Sequence, residues 1–600
     1  MQRNDNPLIV QSDRTMLLDV HAPRATECRD ALIPFAELVS SPEHLHTYRL
    51  TPLSLWNAAG AGFTGAQAIR TLQEFSRYDV PQAVSAWIEE TAGRFGKLRL
   101  VPAPPKDNDG VKDEYLYLVS TSGLVFREIS ANPAAQKLLV PCTYSAPVGS
   151  EPNLTDAEKQ FCFLLHLTDR GTVKQALLKL GWPVKDDVPL TDGAHLDIVL
   201  RKTTLGGKPF SIRDYQQEAA ETLVGNRGPG TGFGTIVLPC GAGKTIVGMA
   251  IMSLLQTETL IVTTNISAVH QWIDELLDKT ELTREQIAEY TGEEKTIRPV
   301  TVATYQILTW RPDKNTPYPH FALFRNSSWG LVIYDEVHML PAPVFRVAAE
   351  LQAVRRVGLT ATLVREDGCE GHVFSLVGPK RYDVPWKELE KEKWIASAEC
   401  IEIRVNLAKD KEIEYAVAAS RSKHKIASEN SVKTELAGEL VRRYPEDKIL
   451  VIGQYLSQLA EIARQLKAPI ITGKTPNSER DKIYDDFRSG RIRVLVVSKV
   501  ANFAIDLPDA SMAIQVSGTF GSRQEEAQRL GRILRPKERT SRFFTLITRN
   551  TVEEDFGSNR QKFLAEQGYS YRLVRYTGTE SLAALDSPCA LPEGGSQSCI

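Results

Sequence analysis

The feature that most constrains this chain is a rhythm of short apolar runs separated by amphipathic stretches, starting just after residue 211 and resuming beyond residue 390. In the first block the runs are TIVLP (235–239), LIVTT (260–264), VTVATY (300–305), LVIYDE (331–336) and VGLTAT (357–362). In the second they are KILVIG (448–453), APIIT (468–472), RVLVVS (493–498), MAIQVS (512–517) and FFTLIT (543–548). A strand that is apolar on both faces must be covered on both faces. Strands alternating with helical stretches achieve this as a parallel sheet between helical layers. The expected fold class is α/β, with two such lobes in tandem joined through the charged segment WKELEKEKW (386–394).

At 600 residues the chain is too long for one hydrophobic core, so the residues ahead of the lobes should form units of their own. Residues 1–100 combine an opening strand (8–11) with helical periodicity over 66–78 and 83–95 and are expected to form a small α+β domain. The stretch PAPPKDNDG (102–110) has the composition of a linker or long hairpin. A second small α+β domain is expected over 101–200, with strands at 115–119 and 124–129 and a helix over 172–181 that its glycine should stop. The lobes then span 201–390 and 391–555. The tail 556–600 is expected to be partly disordered, its stretch 577–600, rich in Gly, Ser, Pro and Glu, fraying.

Composition matters mainly for what it excludes. Hydrophobic residues at 42% and charged residues at 24% are near globular averages, which rules out a disordered scaffold. A formal charge of −2 averages over any local basic groove and says nothing about a nucleic-acid partner. The 8 cysteines show no CxxC pair, against a zinc site or a disulfide framework and in favour of a reducing cytoplasm. Neither a leader pattern nor a long apolar run is present, so no membrane is expected as a partner. His44 and His46 are expected at the surface, and Trp272 and Trp310 in the core at least as readily as stacked on bases.

Chemistry concentrates where strands end. TIVLP runs into Gly241, Ala242, Gly243, Lys244 and Thr245, after which the sequence turns helical. Such a strand-loop-helix lets backbone N–H groups close around phosphates, with Lys244 reaching the terminal phosphates of ATP and Thr245 offering its hydroxyl to Mg²⁺. The full P-loop pattern is not met, because Leu238 stands where its first glycine belongs. LVIY ends in Asp335, Glu336, Val337 and His338. Adjacent acids at a strand end repel unless a cation offsets them: Asp335 would hold Mg²⁺ and Glu336 would orient the attacking water. In QRLGRILR, Gln528, Gly531, Arg532 and Arg535 put two guanidinium groups on one helical face, suited to gripping the same phosphates as arginine fingers.

This ordered set, over about residues 210–550, resembles superfamily 2 helicases of the DExH type, with two RecA-like lobes. By that resemblance Arg213, Asp214, Tyr215 and Gln216 look like a Q motif in which Gln216 reads adenine. Thr263, Thr264 and Thr304 fall where such enzymes touch the phosphodiester backbone. Thr360, Ala361 and Thr362 look like the motif linking hydrolysis to lobe movement, and 498–508, with Asp506, like motif V. The triplet Arg365, Glu366, Asp367 is similar to one typical of the XPB branch, and 412–432, with Arg421, Lys423, His424 and Lys425, occupies the place of its thumb insertion. Residues 101–200 would then be a damage-recognition-like domain and 1–100 an XPB-type amino-terminal domain.

The resemblance implies an ATP- and Mg²⁺-dependent DNA helicase or translocase, 3′ to 5′, working in nucleotide excision repair or transcription-linked remodelling. It would be a monomer in the cytoplasm, associated with the nucleoid, acting on single-stranded, forked or duplex DNA with a possible nuclease or repair partner. The rival readings are a restriction-type DNA translocase or an RNA helicase, and, from another class, an ATP-gated DNA clamp with little turnover.

Overall fold

Every one of the ten apolar runs becomes a strand in the computed structural model, and the strands assemble into two sheets of seven, parallel throughout. The structure describes residues 5–586 apart from 146–152, 341–353, 362–369, 499–509, 519–525 and a number of shorter stretches. Two compact units meet at Trp386 and Lys387.

The first unit carries the sheet of order Ile287–Tyr290, Val300–Thr304, Thr259–Thr263, Leu331–Asp335, Arg355–Thr360, Phe233–Val237 and Lys380–Asp383. Its five middle strands are buried almost end to end, and helices such as Lys244–Leu255 and Ile266–Lys279 pack against them. The second unit repeats the architecture, in the order Ile470–Ile471, Val494–Ser498, Ile449–Gly453, Met512–Gln515, Ser541–Thr548, Ala398–Val405 and Tyr571–Arg575. Here the sequence reading needs correction. The segment set apart from the second lobe as a partly disordered tail from residue 556 contains most of helix Val552–Glu566 and a strand, Tyr571–Arg575, paired in parallel with Ala398–Val405. Arg572 and Arg575, on either side of Leu573 and Val574, hide this edge strand from a search for continuous apolar runs.

Ahead of the first parallel sheet lie two smaller ones. Strands Leu8–Val10, Thr15–Asp19, Leu45–Arg49 and Glu37–Ser40 form an antiparallel sheet in that order. Helices Pro52–Gly60, Gly65–Phe75 and Gln82–Ala92 join its core, the first two started by capping boxes at Thr51 and Thr64. His46 is not a surface histidine as expected: its Nδ1 is buried without a hydrogen-bond partner, and burial pushes its pKa down to about 4. His44 lies outside the described residues.

The second small sheet has the order Val184–Asp186, Leu98–Pro102, Tyr115–Ser120, Cys162–His166 and Val140–Cys142. Two expectations fail here. Residues 124–129 are not a strand but the middle of helix Gly123–Ala131; Val125 and Ile129 face inward one turn apart while Leu124 is exposed, a helical period. The proline-rich 102–110 is the long hairpin of the two forms expected for it, with Lys106–Asn108 paired to Val111–Asp113 between two neighbouring strands, so no domain boundary falls there and this sheet begins by Leu98. Its strands end at Asp186, and residues from 192 onward pack on the parallel sheet's unit: Arg355 holds Asp192 at 2.8 Å, Gln256 bonds Ile198, and Leu200 bridges Thr280. The scattered cysteines also hide one pairing, because Cys142 and Cys162 sit opposite each other on adjacent strands with sulfurs 3.6 Å apart, both as free thiols.

Among the described residues no group of His, Cys, Asp and Glu has the makings of a zinc-like site, and no helix is long and apolar enough to cross a membrane.

Candidate nucleotide site

The glycine-lysine loop leaves the buried strand Phe233–Val237 and enters helix Lys244–Leu255. Leu238, the departure from the P-loop pattern, is fully buried and its N–H donates to the Thr360 carbonyl, so it still belongs to the sheet and the turn has not yet begun. The turn comes at Gly241 (φ +85°) and Gly243 (φ +79°), both in the left-handed region that glycine tolerates. At Gly243 there is a second reason: a Cβ there would meet the Gln216 amide nitrogen at 2.5 Å.

That contact shows what Gln216 does. Its amide nitrogen donates to the Ala242 carbonyl at 2.9 Å, its carbonyl oxygen accepts from the Arg213 N–H at 3.1 Å, and the Tyr215 hydroxyl donates to the same Ala242 carbonyl at 2.7 Å. Both ends of the Gln216 amide thus bond protein groups and brace the loop. Arg213 bonds the Tyr215 hydroxyl and precedes helix Asp214–Val224.

Facing the loop is the end of strand Leu331–Asp335. The Lys244 ammonium lies 2.6 Å from Glu336 Oε1. Asp335 is pinned by three donors: the Trp272 indole N–H to Oδ2 at 2.9 Å, the Glu336 N–H to Oδ1 at 3.0 Å, and the Tyr305 hydroxyl to its carbonyl at 2.9 Å. Burial and the adjacent Glu336 charge push the Asp335 carboxyl up to about 6 against the pull of Lys244. Burial acts on Glu336 in the same sense, but Lys244 and His338 hold it below the usual carboxylate range. Glu336 has φ +48°, a left-handed conformation that costs a non-glycine residue about 1–3 kcal/mol and that the surrounding bonds must sustain. His338 Nδ1 is 2.7 Å from the Thr360 hydroxyl and 3.4 Å from Glu336 Oε2, so the paired acids connect directly to the end of the next strand. This arrangement suits a divalent cation: a half-buried carboxylate beside a second acid, whose ionisation burial opposes, gains from a positive charge, and the half-buried Thr245 on the helix that Lys244 begins offers a hydroxyl.

The remaining expected residues are distributed differently. Thr263 and Thr304 are buried, and the Thr304 hydroxyl is used to cap helix Tyr305–Thr309; only Thr264 of the three is partly open. In the second unit, Lys423 lies over the Tyr415 ring at 5.5 Å and Lys425 pairs with Glu429 at 3.7 Å. Gly241, Ala242, Gly243, Lys244, Asp335, Glu336, His338 and Thr360 are thus brought together. Thr362, Arg365, Glu366, Asp367, Asp506, Gln528, Arg532, Arg535 and the Arg421 side chain lie outside the described residues. Between Gln528 and Arg532 the structure shows what sequence reading missed. Arg529 is fully buried, donating to Gln515 Oε1 at 2.6 Å while Gln515 donates to Glu526 at 2.9 Å, a buried polar network. Trp272 is in the core, one of the two places expected for it, but its bond to Asp335, like that of Tyr305, was missed, because nothing in spacing tells a core aromatic from one whose polar edge meets a carboxylate.

Two parallel seven-stranded sheets, the first with a glycine-lysine loop closed on paired strand-end acids, are the frame of a nucleotide-dependent helicase. Family comparison agrees: "ERCC3/RAD25/XPB C-terminal helicase" matches residues 389–586, "Type III restriction enzyme, res subunit" matches 209–365, and "Helicase conserved C-terminal domain" matches 8–143, a segment that here holds the small antiparallel sheet. The chain is 50% identical over 573 residues to the DNA 3′-5′ helicase XPB of Kineococcus radiotolerans, covering 95% of this chain and 96% of that one. It is 47% identical to the protein of the same name in Mycobacterium tuberculosis, over 94% and 97% of the two chains. The general transcription and DNA repair factor IIH helicase/translocase subunit XPB/SSL2 of Saccharomyces cerevisiae is 29% identical over 96% of this chain and 73% of its own. The chain belongs to the XPB family of DNA 3′-5′ helicases.

Proposed function

We propose that this chain is an ATP-hydrolysing DNA helicase of 3′ to 5′ polarity acting in DNA repair, in nucleotide excision repair or transcription-linked remodelling. The observation that carries the reading is the Lys244–Glu336 pair at 2.6 Å beside the pinned Asp335, a loop lysine resting on the acid it must leave when a terminal phosphate arrives. Thr245 and Asp335 would hold Mg²⁺, which when bound neutralises charge developing on the phosphates. Glu336 orients the attacking water, and His338 passes the state of that acid to Thr360. Arg532 and Arg535, with Gln528, supply the second lobe's grip on the terminal phosphate, and Asp506 contributes to the nucleotide site from motif V. Thr264, Arg421, Lys423 and Lys425 contact the DNA backbone, which makes movement largely indifferent to sequence and binding sensitive to salt.

In this reading residues 1–97 and 98–188 are accessory domains, the second resembling a damage-recognition domain, and the thumb spans about 412–432. The protein works inside the cell as a monomer, with a repair partner in place of the factor IIH assembly named for the eukaryotic relatives. The test is phosphate release and strand separation on single-stranded, forked and 3′-tailed DNA beside matched RNA. Stimulation by DNA and unwinding of the 3′-tailed substrate are expected, and stimulation by RNA alone would defeat the reading. Arg532→Ala or Arg535→Ala is expected to cost about 10³- to 10⁵-fold in turnover.

A further inference from the structure

Asp335 is held from two directions that the hydrolytic chemistry does not require. Helix Ile266–Lys279 follows Thr263 and Thr264 and is capped by Asn265, whose side chain accepts the Ala268 N–H. Trp272 sits in its middle, 2% exposed, and turns its indole N–H onto Asp335 Oδ2. The ring reaches that position by crossing the helix that follows the glycine-lysine loop at a residue with no side chain. A Cβ on Gly248 would lie 2.6 Å from Trp272 Cη2 and 3.4 Å from Ile333 Cδ1. The tryptophan is thus wedged between the phosphate-loop helix and the acid-bearing strand. From the other side, Thr304 caps helix Tyr305–Thr309, and the first residue of that helix donates its hydroxyl to the Asp335 carbonyl. Each threonine-led segment therefore sends one aromatic donor to the same aspartate, one to the carboxylate and one to the main chain.

We propose that Trp272 and Tyr305 are positioning residues that set the divalent-cation affinity of Asp335 and carry DNA occupancy of the two threonine-led segments to it. The inference rests on the reading above, in which Asp335 holds the cation and Thr264 touches the DNA, and it takes the segment after Thr304 to lie along the same strand. The physical reason is that a metal-binding carboxylate with free rotamers spends affinity on being ordered, whereas one fixed by outer donors does not. A DNA strand pressing on either segment moves a donor attached to that aspartate, Trp272 at its carboxylate or Tyr305 at its main-chain carbonyl.

The experiment uses the full chain and two substitutions that keep an aromatic side chain. Trp272→Phe replaces the indole with a smaller ring that has no N–H, and Tyr305→Phe deletes one oxygen. The cation arm measures equilibrium binding of a fluorescent ADP analogue as a function of Mg²⁺, a readout independent of turnover. Trp272→Phe is expected to raise the Mg²⁺ midpoint by about 10- to 100-fold. The DNA arm measures kcat and KM for ATP with and without forked DNA. Tyr305→Phe is expected to lower the ratio of DNA-stimulated to basal kcat by about fivefold or more, with KM for ATP little changed. An unmoved midpoint in a folded Trp272→Phe protein, or an unmoved ratio in Tyr305→Phe, overturns the inference; if Trp272→Phe does not fold, the Tyr305→Phe ratio decides alone. Asp335→Asn separates the two levels. Loss of hydrolysis in that variant beside normal positioning variants leaves the site reading standing and removes only this inference, whereas full hydrolysis removes the site reading itself.

Discussion

Both units of the molecule contain a lysine–glutamate pair closed to 2.6 Å, and the surroundings of the two pairs differ in every other respect. In the first unit, Lys244 and Glu336 are 12% and 16% exposed, lie on a glycine-bearing loop and a strand end, and involve a residue with φ +48°. In the second unit, Lys433 and Glu553 are 0% and 3% exposed and sit on two long helices, Ser431–Arg443 and Val552–Glu566. The sealed pair is completed by donors on each carboxylate oxygen: the Ser428 hydroxyl at 2.9 Å on one and the Thr548 N–H at 2.9 Å on the other. The lysine also reaches the Val516 carbonyl at 3.3 Å. Short distance therefore does not separate a working pair from a structural one. What separates them is how much must be rebuilt when the pair opens: a rotation of Lys244 toward a phosphate in the first case, an uncompensated buried charge in the second.

Substitutions sharpen that contrast. The largest effect is expected at the sealed pair, where Glu553→Gln or Lys433→Met leaves one buried charge alone and should cost about 3–5 kcal/mol of stability, read as a lowered melting temperature. Replacing both residues with apolar ones of similar volume should restore much of that loss, and a double variant as unstable as the singles would break the distinction. At the open pair the expected pattern is reversed. Lys244→Ala or Glu336→Gln should lower DNA-stimulated turnover by about 10²- to 10³-fold while the melting temperature stays close to that of the parent. A smaller effect is expected at Gly248→Ala, whose Cβ would press on Trp272 from 2.6 Å and should cost about 1–3 kcal/mol in thermal unfolding as the ring is displaced.

How far these differences can be read from sequence depends on where each residue's partner lies. The central strands were legible because burial on both faces leaves no polar option, so LIVTT or RVLVVS can be little else. Ala398–Val405 was not, since Glu399, Glu402 and Arg404 interrupt AECIEIRV; Arg404 pairs with Glu402 in its own strand and with Glu554 on the helix that follows residue 551. The loop lysine and the strand-end acids were legible because their chemistry is tied to fixed positions on a strand-loop-helix. Lys433 and Glu553 were invisible for the opposite reason: each looks like an ordinary solvated helix charge until the fold brings residues 120 positions apart together. Gln216 shows the limit from another side. Its presence was legible, but its partners, Ala242 and Arg213, depend on how one loop folds over it.

Acid supplies the mildest test of the comparison. Burial alone would raise the Glu553 pKa, but Lys433, the Thr548 N–H and the Ser428 hydroxyl together hold it below the ordinary value of 4.5. In the unfolded chain this carboxylate takes up a proton near 4.5, whereas in the folded chain it does so only at lower pH. The unfolded state therefore binds more protons below 4.5, and the stability contributed by the pair is lost as pH falls through and beneath that value. Hydrogen exchange in helix Ser431–Arg443, corrected for the intrinsic dependence on pH, should speed up as the solution is acidified below 4.5. Glu553→Gln should start from faster exchange at neutral pH and show a flatter response. Equal acid sensitivity in parent and variant would mean that the sealed pair is no more costly to open than the one at Lys244, and the contrast between the two units would fail.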